Sequence, residues 1–348
     1  MLTLQRHGIE WSLIYESKIS GNSSAVVFGE MICEKLRVSS IEAVCNKTAI
    51  DVAGEMKCSF PAFSGNRLDL EKHVLKSLAE KEDFKTFISY IQHPKNYVET
   101  FIKEEVKKYI LREIKGKVLD ILKKNVDDIK NVISRALFTA TEKVKTQKGG
   151  TDMWVEEFST LLKENLTLGT ISCQNFRDIE KFDFLKEQIE KGLKPIMEEV
   201  SHLSLTKLKD FRQSPDQILI DQLCNCCWET CPFCAAVRTN TLKDHSPEDH
   251  SVPFHRSGSV RGWYYRHTDI MSVDFCTTKV ASDRRYENWR ITPDESKLKY
   301  WTWFVCRFQT ELEEFYDHKF YDKGEIPSEW RKHTKEEAIQ SLDEMYKL

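Results

Sequence analysis

The chain has 348 residues, 40% apolar and 31% charged, with eight Trp. This lies outside the low-hydrophobicity, high-charge regime of disordered chains and supplies enough apolar mass for a sizeable core. Its 52 Lys and Arg stand against 55 Asp and Glu, a formal net charge of −3, so no global field steers it to nucleic acid or to an anionic membrane. No run approaches the roughly 18 apolar residues of a membrane span, and Arg6 and Glu10 fall where a signal peptide would be apolar, which points to an intracellular protein without a transmembrane segment.

In chain order, Val26, Val27, Met31, Ile32 and Leu36, then Ile41, Val44, Ile50 and Val52, recur at helical spacing. They predict two helices over 23–56, with Ser23 or Ser24 as a cap. A loop follows around Phe60 to Asn66, with Pro61 and Gly65; Leu70, Val74 and Leu78 then pattern a further segment, and 83–92 reads as a short helix ending before Pro94. From 95 to 145 one stripe runs through Ile102, Val106, Tyr109, Ile110, Ile114, Val118, Ile121, Val126, Ile129, Val132, Ile133 and Leu137. It predicts one long helix or a kinked pair, with Gly116 as the weak point, since an interior Gly costs about 1 kcal/mol relative to Ala. Thirteen Lys and Arg against seven Asp and Glu between Phe101 and Gly150 read as a solvated face. Gly149 and Gly150 break the pattern. Helices are expected over 152–166 and 178–211, the second interrupted at Pro195, whose ring cannot join the hydrogen-bond ladder.

Past residue 222 the texture changes to Trp, Tyr, Cys and His with recurrent Pro and Gly. Residues 270–280 (IMSVDFCTTKV) have the β-branched content and partial alternation of a strand. Thr292-Pro293-Asp294-Glu295 combines an N-cap, a Pro at the first helical position and a capping-box Glu; Thr334 with Glu337 repeats the box. Two closing helices are expected, with Trp301, Trp303, Phe304, Phe308 and Phe315 as a buried face. The fold class is mainly α: an elongated helical bundle over 1–222, a small zinc-stapled α+β module over 223–290, and C-terminal helices over 291–348 packed on that module.

The chemistry concentrates in the cysteines. Five of eleven, Cys224, Cys226, Cys227, Cys231 and Cys234, fall within eleven residues, a density that in an intracellular protein signals metal rather than disulfides. Cys231-Pro-Phe-Cys234, fifteen residues, His250, four residues and His255 make C-x2-C-x15-H-x4-H. Two thiolates and two imidazoles close a tetrahedron around Zn²⁺. The predicted ligands are therefore Cys231, Cys234, His250 and His255, with Cys227 and His245 in reserve. A bland alternative is that the thiols simply pack, since free Cys is among the most buried residue types. Pro253 between the two His breaks a groove-reading helix, and Asp244, Glu248 and Asp249 repel phosphate, which argues against a DNA-reading finger. Four protein ligands leave no open position for catalysis, so the zinc is expected to be structural.

Arg256, Arg261, Arg266, Arg284, Arg285 and Arg290 interleave with Trp263, Tyr264, Tyr265, Tyr286 and Trp289. Arg with stacked aromatics can grip single strands, and this surface is the alternative reading, a nucleic-acid-binding module. The preferred reading makes the aromatics a small core around the zinc, covered by the Arg side chains. There is no G-x-x-x-x-G-K-[ST], no G-x-S-x-G, no H-E-x-x-H and no G-x-G-x-x-G. No nucleotide-binding, cofactor-binding or catalytic residue is therefore assigned in this chain.

Several stretches, Cys227-Trp-Glu-Thr-Cys-Pro-Phe-Cys234, Asp249-His-Ser-Val-Pro-Phe-His-Arg256, Asp274-Phe-Cys-Thr277, Val280-Ala-Ser-Asp283, Tyr300-Trp-Thr-Trp-Phe-Val-Cys-Arg307 and Gly324-Glu-Ile-Pro327, resemble the C-terminal end of the interferon-induced very large GTPases. The helical part from about Ser24 resembles the segment after their GTPase domain. The resemblance implies a large, interferon-inducible protein of innate immunity, cytoplasmic with the nucleus as a second location. Its GTP would bind only in an upstream domain absent here. It departs from that pattern at Arg238, where a further Cys would be expected. The function implied is a scaffold and interaction region with protein partners or self-assembly.

Overall fold

The structure is a computed structural model and describes residues 21–113, 116–207, 214–231, 233–238, 252, 255–278 and 298–346. Eleven α-helices stand among the described residues: α1 Gly21–Ser59, α2 Arg67–Lys81, α3 Phe84–Gln92, α4 Pro94–Glu113, α5 Lys117–Gln147, α6 Thr151–Leu162, α7 Phe182–Lys207, α8 Pro215–Leu223, α9 Lys299–Arg307, α10 Gln309–Tyr316 and α11 Lys335–Met345. None is long and apolar enough to cross a membrane.

Two compact units share these elements: 21–52 with 109–215, and 53–108 with 216–346. This differs from a break near residue 222, because 53–108 groups with the C-terminal residues. The core of the second unit joins segments more than 200 residues apart.

In the first unit the stripe of α5 (Leu122, Val126, Ile129, Ile133, Leu137, Ala140, Val144) is buried with Phe28, Ile32 and Leu36 of α1 and Leu185, Ile189 and Leu193 of α7. Trp154 of α6 stacks on Phe158 at 4.8 Å and donates its indole N–H to Thr141 Oγ1 at 3.2 Å. Where two helices were expected over 23–56 there is one, since no Pro interrupts it and Ser39 and Ser40 are buried within it. Ser24 is no cap: it lies inside α1 and donates to Asp178 Oδ2 at 2.7 Å. The expected interruption at Pro195 is also absent, as α7 runs through it. Pro195 and Lys191, whose carbonyl loses its partner, both face solvent, where water replaces the missing bond. The long stripe does divide at Gly116 into α4 and α5, and Lys148, at φ 51°, ends α5 before the glycine pair.

In the second unit α2 starts on a capping box of Asn66 and Asp69, α3 on Asp83, and α11 on Thr334 and Glu337. Pro94, expected only to stop α3, opens α4, a first-turn position where its missing N–H costs nothing. Phe87 of α3 packs on Phe304 at 4.8 Å and Phe308 at 5.3 Å, and Tyr300 donates to the Leu75 carbonyl at 2.6 Å. Lys76 pairs with Asp343 at 2.6 Å, and Glu82 meets Arg307 and Lys335, each at 2.8 Å. Trp301, Trp303, Phe304 and Phe308 are buried as expected, but Phe315 is 49% exposed. The expected cap at Thr292 lies outside the described residues.

The α+β expectation is corrected. Among the described residues the second unit has only isolated β-bridges, Thr230 with Val237, Ser257 with Phe275, Tyr264 with Met271, and Ile270 with Lys319. Residues 270–275 contribute single bridges, and a helical turn starts at Cys276. Ile270 and Met271 are buried without a ladder among the described residues.

Candidate metal centre

The two halves of the site are built by backbone pairing. In the first, Cys231 N–H donates to Ala236 O at 2.8 Å, and Ala235 N–H returns to Cys231 O at 2.9 Å. Ala235 takes the left-handed conformation, φ 57°, which closes the turn so that Cys231 and Cys234 face one point. In the second, Ser257 bridges Phe275 and Gly258 N–H donates to Asp274 O at 2.8 Å. That register sets His255 beside Cys276.

The ligand atoms of Cys231, Cys234, His255 and Cys276 lie within 4.8 Å of one another, and all four residues are buried. Cys231 Sγ stands 4.0 Å from Cys276 Sγ; His255 Nδ1 stands 3.6 Å from Cys234 Sγ and 2.8 Å from Cys276 Sγ. A tetrahedron with metal–sulfur bonds near 2.3 Å has edges of about 3.8 Å. The first two distances match it; the third is a hydrogen bond whose proton a cation would replace. Hydrogen bonds from Cys234 and Cys276 hold the Cys231 thiol well below the usual thiol range. Burial works against a charged imidazole at His255, yet hydrogen bonds to Cys231 and Cys234 push it up to about 9. The cluster thus pairs an anionic thiolate with a protonated imidazole in a dry site, while hydrogen bonds to Cys231 and Cys234 hold the Cys276 thiol protonated. Phe233, Ala236, Val252 and the half-buried Trp263 pack around it, and among the described residues His255 Nε2 is buried without a hydrogen-bond partner.

Of the predicted ligands the structure brings together Cys231, Cys234 and His255. His250 and the reserve His245 lie outside the described residues. The reserve Cys227 is buried but is not among the four gathered donors. The fourth gathered donor, Cys276, was not among the predicted ligands. Its signal was the symmetric spacing C-x2-C-x20-H-x20-C, hidden because Cys276 sat inside an apparent strand. Arg238, where a further Cys was expected, is buried, pairs with Glu229, and its carbonyl accepts from Arg67; the gathered set does not need that position.

The arginines do not act as a cover throughout. Arg256 is only 2% exposed, its guanidinium carbon 3.9 Å from the Trp301 ring centroid and 5.4 Å from that of Tyr90. Arg261 and Arg266 are exposed, while Arg284, Arg285 and Arg290 lie outside the described residues.

The fold and these four donors define a mainly helical protein with a buried Cys3His group able to hold a metal ion. A family model, "Interferon-induced very large GTPase 1, C-terminal domain", matches residues 227–286 and 283–342, a span that includes all four donors. The chain is 34% identical to interferon-induced very large GTPase 1 of Mus musculus over 97% of its length, and 33% identical to that of Homo sapiens over 94%. It belongs to the interferon-induced very large GTPase family and carries the family's C-terminal domain. It spans 15% and 14% of the length of those two relatives. No solved structure matches it.

Proposed function

We propose that the chain serves its family as a C-terminal scaffold and interaction region, closed by a structural zinc held by Cys231, Cys234, His255 and Cys276. The observation that carries this is the gathering of four soft or borderline donors, all buried, within 4.8 Å. Three thiolates and one imidazole match zinc in a closed tetrahedral site, and four protein ligands leave no position for a reacting water. His255 would bind through Nδ1, the nitrogen that faces the thiols. In a reducing cytosol, with the nucleus as a second location, the thiols stay free to bind metal. GTP chemistry belongs, in this reading, to family sequence outside this chain, whose own role is to brace helices and present them to protein partners or further copies.

The test is metal content of the purified chain by elemental analysis, beside Cys231→Ser, Cys276→Ser and His250→Ala. Stoichiometric zinc that is lost in the first two variants and kept in the third supports the Cys3His site. Zinc lost in His250→Ala and kept in Cys276→Ser would return the fourth position to His250. A chain free of metal in every preparation would overturn the staple.

A further inference from the structure

The next residue after the ligand His255 points the opposite way. Along extended backbone successive side chains alternate. While His255 Nδ1 faces the thiols, Arg256 enters the aromatic core of the second unit, between Trp301 of α9 and Tyr90 of α3. Its Nη2 reaches Tyr90 Oη at 3.5 Å, and among the described residues its Nε and Nη1 have no hydrogen-bond partner. Tyr90 in turn donates to Glu71 Oε1 at 2.6 Å, and Glu71 already holds Arg67. No carboxylate among the described residues pairs with Arg256, so the rings supply its main compensation for lost water.

A buried guanidinium with two unsatisfied nitrogens gains by returning to solvent unless its backbone is held. Here the backbone is held on both sides of the arginine: by His255 at the metal cluster, and by the Ser257–Phe275 bridge that leads into Cys276. Building on the zinc reading above, we infer that metal occupancy at the Cys3His site latches Arg256 into the Tyr90–Trp301 box, making the packing of α3 against α9 depend on the metal. With the ion bound, the ligand loop is fixed and the cation stays between the rings. With the ion lost, the loop loosens, Arg256 leaves for water, and the box is left with a void between its rings.

The test is hydrogen exchange with mass-spectrometric readout on the full chain, comparing protein stripped by a chelator in reducing buffer with the same protein after addition of Zn²⁺. Expected on stripping is a rise in exchange of about tenfold or more at 231–238, accompanied by a comparable rise at α9 and α3. In Arg256→Met, which keeps an apolar stem between the rings, stripping should still raise exchange at 231–238 but add little at α9; Trp301→Phe should give an intermediate response. Zinc that protects 231–238 while leaving wild-type α9 and α3 unchanged overturns the latch and leaves the metal site standing. Zinc that changes exchange nowhere overturns both.

Discussion

Removing the charge of Glu71 is the sharpest test of how the second unit is held. The carboxylate lies on α2 and is 5% exposed. Its Oε2 accepts from Arg67 Nη1 at 2.8 Å and its Oε1 from Tyr90 Oη at 2.6 Å. The Arg67 side chain is 1% exposed, so both charges have left water. The Coulomb gain of such a pair is largely offset by desolvation. Deleting one partner, however, strands the other, at a cost of about 3–5 kcal/mol. Glu71→Gln keeps the shape and is therefore expected to destabilise the unit by about 3 kcal/mol or more, because Arg67 keeps its charge without a counter-ion. Arg67→Met with Glu71→Leu removes both charges and should recover part of that loss. Recovery is incomplete because the Tyr90 hydroxyl and the Arg238 carbonyl lose partners, at about 1–3 kcal/mol each. Urea unfolding followed by near-ultraviolet circular dichroism reads the aromatic core directly. A loss below about 1 kcal/mol for Glu71→Gln, or a double variant less stable than both single ones, would refute the account of a stranded charge.

Three further outcomes are expected. Ala235 holds φ 57°; Ala235→Gly should alter stability by less than about 1 kcal/mol, whereas β-branched Ala235→Val should cost about 2 kcal/mol and weaken zinc retention, read by denaturation beside elemental analysis. Burial, followed by nearby Glu30, raises the Cys33 thiol to about 11, so alkylation at mildly alkaline pH should label exposed Cys58 well before Cys33, as peptide mass mapping will show. Burial and then Lys299 lower His333 below its ordinary value. Protonation therefore favours the unfolded chain, and this contribution is complete above the unfolded pKa and is lost as pH falls through the folded one. His333→Gln should flatten that decline in a pH series of melting temperatures.

Local signals were legible where one residue decides the backbone: Gly116 parting α4 from α5, the glycine pair after Lys148, and the capping box at Thr334. Patterns that depend on distant partners misled. Pro195 looked like a stop, yet its lost bond falls on the solvent side of α7, a fact that needs the rest of the core to know. Residues 270–275 looked like a strand because they mix β-branched with buried apolar side chains, but among the described residues no segment runs beside them for more than single bridges. Cys231, Cys234 and His255 were visible as ligand types at metal spacing. Cys276 stood at matching spacing inside an apparent strand, and it is the Ser257–Phe275 register that carries it to His255. The aromatic run from Trp301 to Phe308 announced burial, while its partner face on α3 lay more than 200 residues earlier and carried no mark of the pairing.

The threading of the chain through its two units bears on how the protein is made and cut. Residues 21–52 and 109–215 form one unit, 53–108 and 216–346 the other, so neither can be excised at a single place. During synthesis α2 and α3 emerge long before Tyr300 and Phe304 exist to cover Leu75 and Phe87. Their apolar faces must wait for the C-terminal residues, a span of nascent chain in which a chaperone has its longest opportunity to bind. A stop codon after the cysteine turn would leave that wait unended and expose those faces permanently, while the elements of the first unit would all be present.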